Sequence, residues 1–120
     1  MDSILNSVKK ILGITDSYEH FDADIIMHIN SVFLILNQMG VGPDTPFTIS
    51  DSSETWSDFT PDIDLIPMVK TYVALKVRMI FDPPTQGSVS EAMKNQIAEC
   101  EWRLNVACDP KREEIQNERV

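Results

Sequence analysis

The chain has 120 residues and a formal net charge of −9, and 42% of its residues are hydrophobic. This length fits one domain with a buried core, and this composition excludes an intrinsically disordered chain. So acidic a chain is not expected to grip the phosphate backbone of DNA, and none of its apolar runs is long enough to span a bilayer. The N-terminal sequence lacks the continuous apolar stretch of a signal peptide, so we expect a cytosolic protein.

Periodic apolar segments predict an all-α fold, a small bundle of about four helices. The first predicted helix is short, at about residues 2–12, and Gly13 is placed to end it. The second covers about residues 23–39, with Asp22 as its expected N-cap and Gly40 as its stop. Its apolar stripe contains Ile25, Ile26, Ile29, Val32, Phe33, Leu36 and Met39.

A long loop, residues 40–62, separates the second predicted helix from the third. Loops of this length are usually functional or contain small elements of their own. Alternation in residues 47–49 and 55–57 predicts a short β-hairpin. Because Trp56 and Phe59 stand in an acidic, polar context, we expect this loop to act as a contact arm.

The third predicted helix, at about residues 64–81, is apolar almost all round. Such a helix is either the central core helix or is covered by another subunit. Pro67 is tolerated only in a first turn, so the regular helix is expected to begin near Ile66. The motif Asp82-Pro83-Pro84 ends it, because a residue before proline is pushed out of the α region.

The fourth predicted helix, at about residues 89–106, carries two apolar stripes. We expect it to begin at a capping box formed by Ser88 and Glu91. The first stripe contains Val89, Met93, Ile97, Cys100 and Leu104, and the second contains Ala98, Trp102 and Val106. Two stripes predict two packing partners, and we hypothesise that one of them is another chain.

The sequence contains few residues that could act as catalysts or metal ligands, and their spacing does not suggest an active site or a metal site. The two histidines, His20 and His28, are expected to be ordinary surface side chains. His20, Asp22 and Asp24 are possible metal ligands, but a helix cap and a first-turn acid explain the two aspartates better. The acidic segment 51–58 lacks the glycine and the spacing of a calcium loop. We therefore predict no enzyme activity, no metal and no cofactor.

The basic residues of the third predicted helix and the two tryptophans each allow two interpretations. Lys70 and Arg78 lie along one face of the third predicted helix, where they either bind an acidic partner or form a solvent edge paired with the acidic first half. That half, residues 1–60, holds nine acidic residues against two lysines. Trp56 and Trp102 are either core residues or interface hot spots.

Four segments follow one another in an informative order: FDADIIMHINSVFLILNQMGVGP, ETWSDF, VKTYVALKVRMIFDPP and ECEWRLN. This order resembles the head–tail connector proteins, also called adaptor or head-completion proteins, of long-tailed bacteriophages and prophages. The resemblance covers about residues 4–108, which is nearly the whole predicted domain. It rests on family-like sequence and not on a catalytic signature.

The resemblance implies a structural virion protein at the head–tail junction, assembled in the cytoplasm of a bacterial host and without enzymatic activity. Such proteins form a ring of about twelve copies beneath the portal, closed by heterologous contacts. The ring extends the channel, lets DNA pass without sequence-specific binding, and provides the platform for the stopper and tail. The implied partners are other copies of the chain, the portal protein and a stopper or tail-completion protein, with no membrane.

The resemblance also assigns roles along the chain. Residues 1–108 would form a single helical connector domain, and residues 109–120 a polar, flexible tail that orders on docking to the portal. The residues expected at subunit or partner interfaces are Trp56, Phe59, Lys70, Arg78, Trp102, Arg103, Lys111 and Arg112. A second hypothesis, from another class, is a small intracellular helical regulator that binds a host protein as a monomer or dimer.

Overall fold

Five helices organise residues 3–108, the part of the chain that this computed structural model describes. They are α1 (Ile4–Ile11), α2 (Asp22–Gln38), α3 (Trp56–Phe59), α4 (Ile66–Phe81) and α5 (Gly87–Ala107). No β-strand occurs among these residues, so the all-α prediction is confirmed. The four longer helices are the four predicted from the sequence, and α3 is a short addition within the long loop.

The helix α4 is the centre of the fold. The four other helices all pack on it, and α2 and α5 make the most extensive contacts with it. Val69, Tyr72, Val73 and Val77 of this helix are completely buried. Of the two alternatives left open by the sequence, the structure shows the central core helix. The predicted start is confirmed, because α4 begins at Ile66 and Pro67 lies in the first turn, where its missing N–H leaves no hydrogen bond unmade.

A buried lysine joins α1 to the start of α2. Lys9 is completely buried, and its Nζ lies 2.8 Å from Oδ1 of Asp22. The same Nζ donates to the carbonyl oxygens of Tyr18, at 2.8 Å, and Asp16, at 3.1 Å. Two carbonyl acceptors and the negative charge of Asp22 thus surround the ammonium group, which offsets the large cost of removing its charge from water.

Two predicted helix starts are wrong in detail. Asp22 is the first residue of α2 and not its N-cap; the N-cap is Phe21, and the Asp22 carboxylate is bound to Lys9. The capping box of Ser88 and Glu91 does not form, because α5 begins at Gly87 and both residues lie inside the helix. The Asp22 carboxylate is not available as a cap because it pairs with Lys9. Ser88 is not a cap because α5 already begins at Gly87.

The hairpin predicted in the loop is also wrong. The backbone of Ile49 is instead paired with the side chain of Asn30 on α2, at 2.8 Å from N–H to Oδ1 and 3.0 Å from Nδ2 to the carbonyl. Residues 54–55 pair with the start of α1, where the Ile4 N–H donates to the Glu54 carbonyl at 3.0 Å. Ile49 and residues 54–55 thus form backbone hydrogen bonds with α2 and the start of α1 and not with each other as a hairpin requires.

We expect Lys9→Met to lower the free energy of unfolding by about 2–3 kcal/mol, because the Asp22 carboxylate and two carbonyls lose their buried donor. Urea denaturation followed by circular dichroism measures this change. The neighbouring Lys10 is exposed, so Lys10→Met serves as the control and should change stability by no more than about 0.5 kcal/mol. Equal effects of the two substitutions would contradict the role given to Lys9.

A second pair of variants tests the turn after α2. Gly42 has a φ of +92°, and an added Cβ would lie 2.5 Å from the Phe59 ring. We therefore expect Gly42→Ala to lower the free energy of unfolding by about 1–3 kcal/mol. A Cβ at Gly87 meets nothing within 4 Å, so Gly87→Ala should not destabilise the protein. Thermal melts of the two variants provide the comparison.

Candidate subunit interface

The inner face of α5 is fixed on the core by α4. Ile97, Cys100 and Leu104 of this face are buried, as the first predicted stripe requires. On the rim of the contact, Tyr72 donates its hydroxyl to a carboxylate oxygen of Glu101 at 2.8 Å. Lys76 approaches the same oxygen at 3.8 Å. The pairing of α4 with α5 therefore combines an apolar centre with a polar edge.

The outer face of α5 is the second predicted stripe, and it has little cover in the subunit. Trp102 is 64% exposed, although its ring is the largest apolar surface on this helix. Ala98 lies one turn before it on the same face and also lines a groove of about 310 Å³ between α4 and α5. Ile80, which is 49% exposed, lines that groove too. Exposed tryptophan beside exposed aliphatic side chains is typical of a protein–protein interface.

Two of the predicted contact residues lie elsewhere. Trp56 and Phe59 are only 2% and 3% exposed, and they stack in an aromatic cluster around Phe33. The indole N–H of Trp56 donates to Oγ of Ser7 at 3.1 Å. The expectation that these side chains form an exposed contact arm is therefore wrong, because α3 turns both of them into the core.

The predicted basic residues are dispersed over the subunit. Lys70 is half-buried and lines a cleft beside α1. Arg78 stabilises the C-terminal end of α4, where its Nε donates to the Asp82 carbonyl at 2.9 Å. Arg103 pairs with Glu99 on the exposed surface of α5 at 2.9 Å, a contact of little net stability. The structure does not bring these three cations together, and Lys111 and Arg112 lie outside the described residues.

The surroundings of Tyr72, Cys100 and His20 are typical of a folded core and not of a catalytic site. Burial, and then the hydrogen bond to Glu101, raises the pKa of the Tyr72 phenol well above its ordinary value. Burial also raises the pKa of the Cys100 thiol, which favours its unreactive protonated form. His20 packs against the Phe21 ring at 4.7 Å. Among residues 3–108, no three His, Cys, Asp or Glu residues are grouped to hold a metal ion.

Sequence reasoning missed a second exposed apolar face, on α2. Met27 and Leu34 are 58% and 46% exposed on the side of α2 that faces away from the core. The signal was present, because Leu34 falls outside the main stripe of this helix. Periodicity alone does not show how far the cover of a helix extends, so it does not distinguish an exposed Leu34 from one that widens the buried stripe.

These features describe an all-helical subunit whose buried core carries exposed apolar helix faces. A sequence model of the phage connector protein family matches residues 4–111. The chain therefore belongs to the phage connector protein family, as the resemblance predicted. This family is structural and not enzymatic. No curated protein and no solved structure matches the chain. Within residues 3–108, no helix is long and apolar enough to cross a membrane.

The raised pKa of Tyr72 predicts how stability changes in alkali. Because folding favours the neutral phenol, its contribution is fully present below the unfolded-state pKa of about 10 and is lost as the pH rises above that value. Tyr72→Phe should remove this loss and should lower the free energy of unfolding at neutral pH by about 1 kcal/mol.

Urea denaturation of both proteins between about pH 8 and pH 11 tests this prediction, since the other groups that titrate there are shared and cancel in the difference. Tyr18→Phe, at a half-exposed position, controls for the loss of a tyrosine. A stability difference between the wild type and Tyr72→Phe that does not change with pH would contradict the prediction.

Proposed function

We propose that this protein is the repeating subunit of a ring at the head–tail junction of a tailed bacteriophage or prophage. The observation that carries this proposal is the family match, which extends over residues 4–111 and so includes every helix of the fold. In this role the subunit binds the portal protein on one side and a stopper or tail-completion protein on the other. Its role is structural: it extends the channel and connects the portal to the tail.

The exposed face of α5 supports a role in assembly. A tryptophan that is 64% exposed contributes little to the folding of the subunit that carries it. The same side chain contributes strongly when another protein surface covers it, because large aromatic groups dominate interface energies. We therefore place Trp102 at a contact between subunits, in a ring of about twelve copies closed by heterologous contacts.

The negative net charge of the chain is consistent with a channel through which DNA passes. A net charge of −9 on each copy gives a ring a strongly negative field. DNA that moves through such a channel is repelled by the walls and does not bind them, so the protein would guide DNA without sequence-specific contacts. The finished assembly would be part of the virion.

For contact with the portal, we retain Lys111 and Arg112 as the proposed residues. They lie near the end of the family match, and they are the first basic pair after α5. Charge-reversed variants test this role. We expect Lys111→Glu with Arg112→Glu to weaken binding to the portal ring of the same genome by at least about tenfold, because loss of interface charge pairs typically costs more than about 1.4 kcal/mol.

Co-sedimentation of the full chain with the purified portal ring, followed by electron microscopy of the pellet, measures both binding and ring formation. Arg119→Glu changes a charge at the far end of the same segment and serves as the control. Wild-type chain that stays in the supernatant would reject the connector role and favour the helical regulator. Binding that is unchanged in the Lys111 and Arg112 variant would reject only the role of these two residues.

A further inference from the structure

The subunit has two exposed apolar helix faces, and they lie on different helices. We define the α5 face as Ala98, Trp102 and Val106, together with the neighbouring groove residues Ile80 and Lys94. We define the α2 face as Ala23, Asp24, Met27, Ser31, Leu34 and Gln38, which recur at helical spacing and are all exposed. Large apolar side chains stand out on both faces, since Met27 is 58% exposed and Trp102 is 64% exposed.

The two faces lie on helices that both pack on α4, and neither helix makes a comparable contact with the other. The buried residues of α2, such as Ile25, Ile29 and Phe33, lie on the opposite side of that helix from Met27 and Leu34. In α5, Trp102 likewise lies opposite the buried Ile97 and Leu104. A contact between two different faces joins subunits head to tail, and this is the type of contact that closes into a ring.

The two faces differ in the size and charge of their side chains. On α2, Ser31 is a small residue between Met27 and Leu34, and its hydroxyl donates to the Met27 carbonyl at 3.0 Å. A small side chain whose hydroxyl is already bonded is a position over which an aromatic ring of another copy can pack. The α2 face has a carboxylate at Asp24 and belongs to the half of the chain that holds most of the excess negative charge. The α5 face has an exposed ammonium at Lys94.

We propose that the α5 face of one copy packs on the α2 face of the next copy, with Trp102 placed between Met27 and Leu34 and with Lys94 near Asp24. The proposal rests on the ring-forming function proposed above and identifies the two surfaces that form each contact. It explains why these exposed side chains are large and apolar, because each becomes covered when the ring closes.

Cross-linking of mixed cysteine variants on the portal tests this geometry. Both variants carry Cys108→Ser, which leaves the buried Cys100 as the remaining native thiol. One variant then receives Ser31→Cys and the other Ala98→Cys, and a short bifunctional thiol reagent is added. We expect a cross-linked dimer in the mixture and none in either variant alone. Ser52→Cys, at an exposed loop position, replaces Ser31→Cys in the control mixture, which should stay uncross-linked.

The outcomes separate the two proposals. Cross-linking within the Ser31→Cys variant alone would show a symmetric α2 contact and would overturn this inference. A portal-bound ring in which the Ser31→Cys and Ala98→Cys variants form no cross-link with each other would overturn it as well, while leaving the connector function intact. Absence of both ring and portal binding in the wild type would reject the function on which the inference rests.

Charge exchange gives an independent test. Asp24→Lys and Lys94→Glu should each weaken ring formation about tenfold, because like charges then face each other at every contact. The two single variants mixed together, or the double variant alone, should recover wild-type assembly, since each contact again pairs opposite charges. Failure of the mixture to recover, when both variants melt at the wild-type temperature, would overturn the inference.

Truncation of the tryptophan completes the test. Trp102→Ala should weaken ring formation by at least about thirtyfold, the effect of a central interface hot spot. Ile63→Ala is the matched control, because Ile63 is 78% exposed but lies outside both faces. Equal assembly by the two variants would contradict the position given to Trp102. Thermal melts of each subunit alone should be unchanged, since both side chains are exposed in it.

Discussion

The helix α4 carries apolar side chains around most of its circumference, and most of them have to be removed from water. One subunit of this size achieves this only by placing four other helices around α4, so that Val69, Tyr72, Val73 and Val77 are completely covered. The positions of α1, α2, α3 and α5 follow from this requirement. The same requirement leaves the outer sides of α2 and α5 without cover, and these are the surfaces available for assembly.

Polar side chains fix the segments that have no regular structure of their own. Lys9 binds the carbonyls of the segment between α1 and α2 and the Asp22 carboxylate at its end. Asn30 holds the backbone of Ile49 as a neighbouring strand would. Both are buried or half-buried hydrogen-bonding groups whose loss leaves several partners unsatisfied. The long loop therefore contributes Ile49, Trp56 and Phe59 to the core, although most of its other residues are exposed.

The aromatic side chains of this subunit fall into two groups. The cluster of Phe33, Trp56 and Phe59 lies inside the subunit, whereas Trp102 lies on its surface. Because exposed side chains contribute little to the fold, we expect substitutions on the proposed α2 and α5 faces to change association without unfolding the subunit.

The amino-acid sequence by itself determined the elements that depend on local chemistry. Gly13 and Gly40 end α1 and α2 with positive φ angles, and Pro67 fixes the first turn of α4. The apolar pattern of α4 showed that this helix has to be covered, either as the central helix or by another subunit. The two stripes of α5 were also readable, because a helix has a fixed period and each stripe corresponds to one face. The order of the segments identified the family.

Only the tertiary structure decided which aromatic and acidic residues are buried. Trp56 and Phe59 occur in a polar stretch, and their burial results from α3, a four-residue helix too short to give a periodic signal. Asp22 has the sequence position of an N-cap, but Lys9, on the preceding helix, binds its carboxylate. These outcomes depend on contacts between distant parts of the chain, whereas sequence patterns report the preferences of neighbouring residues.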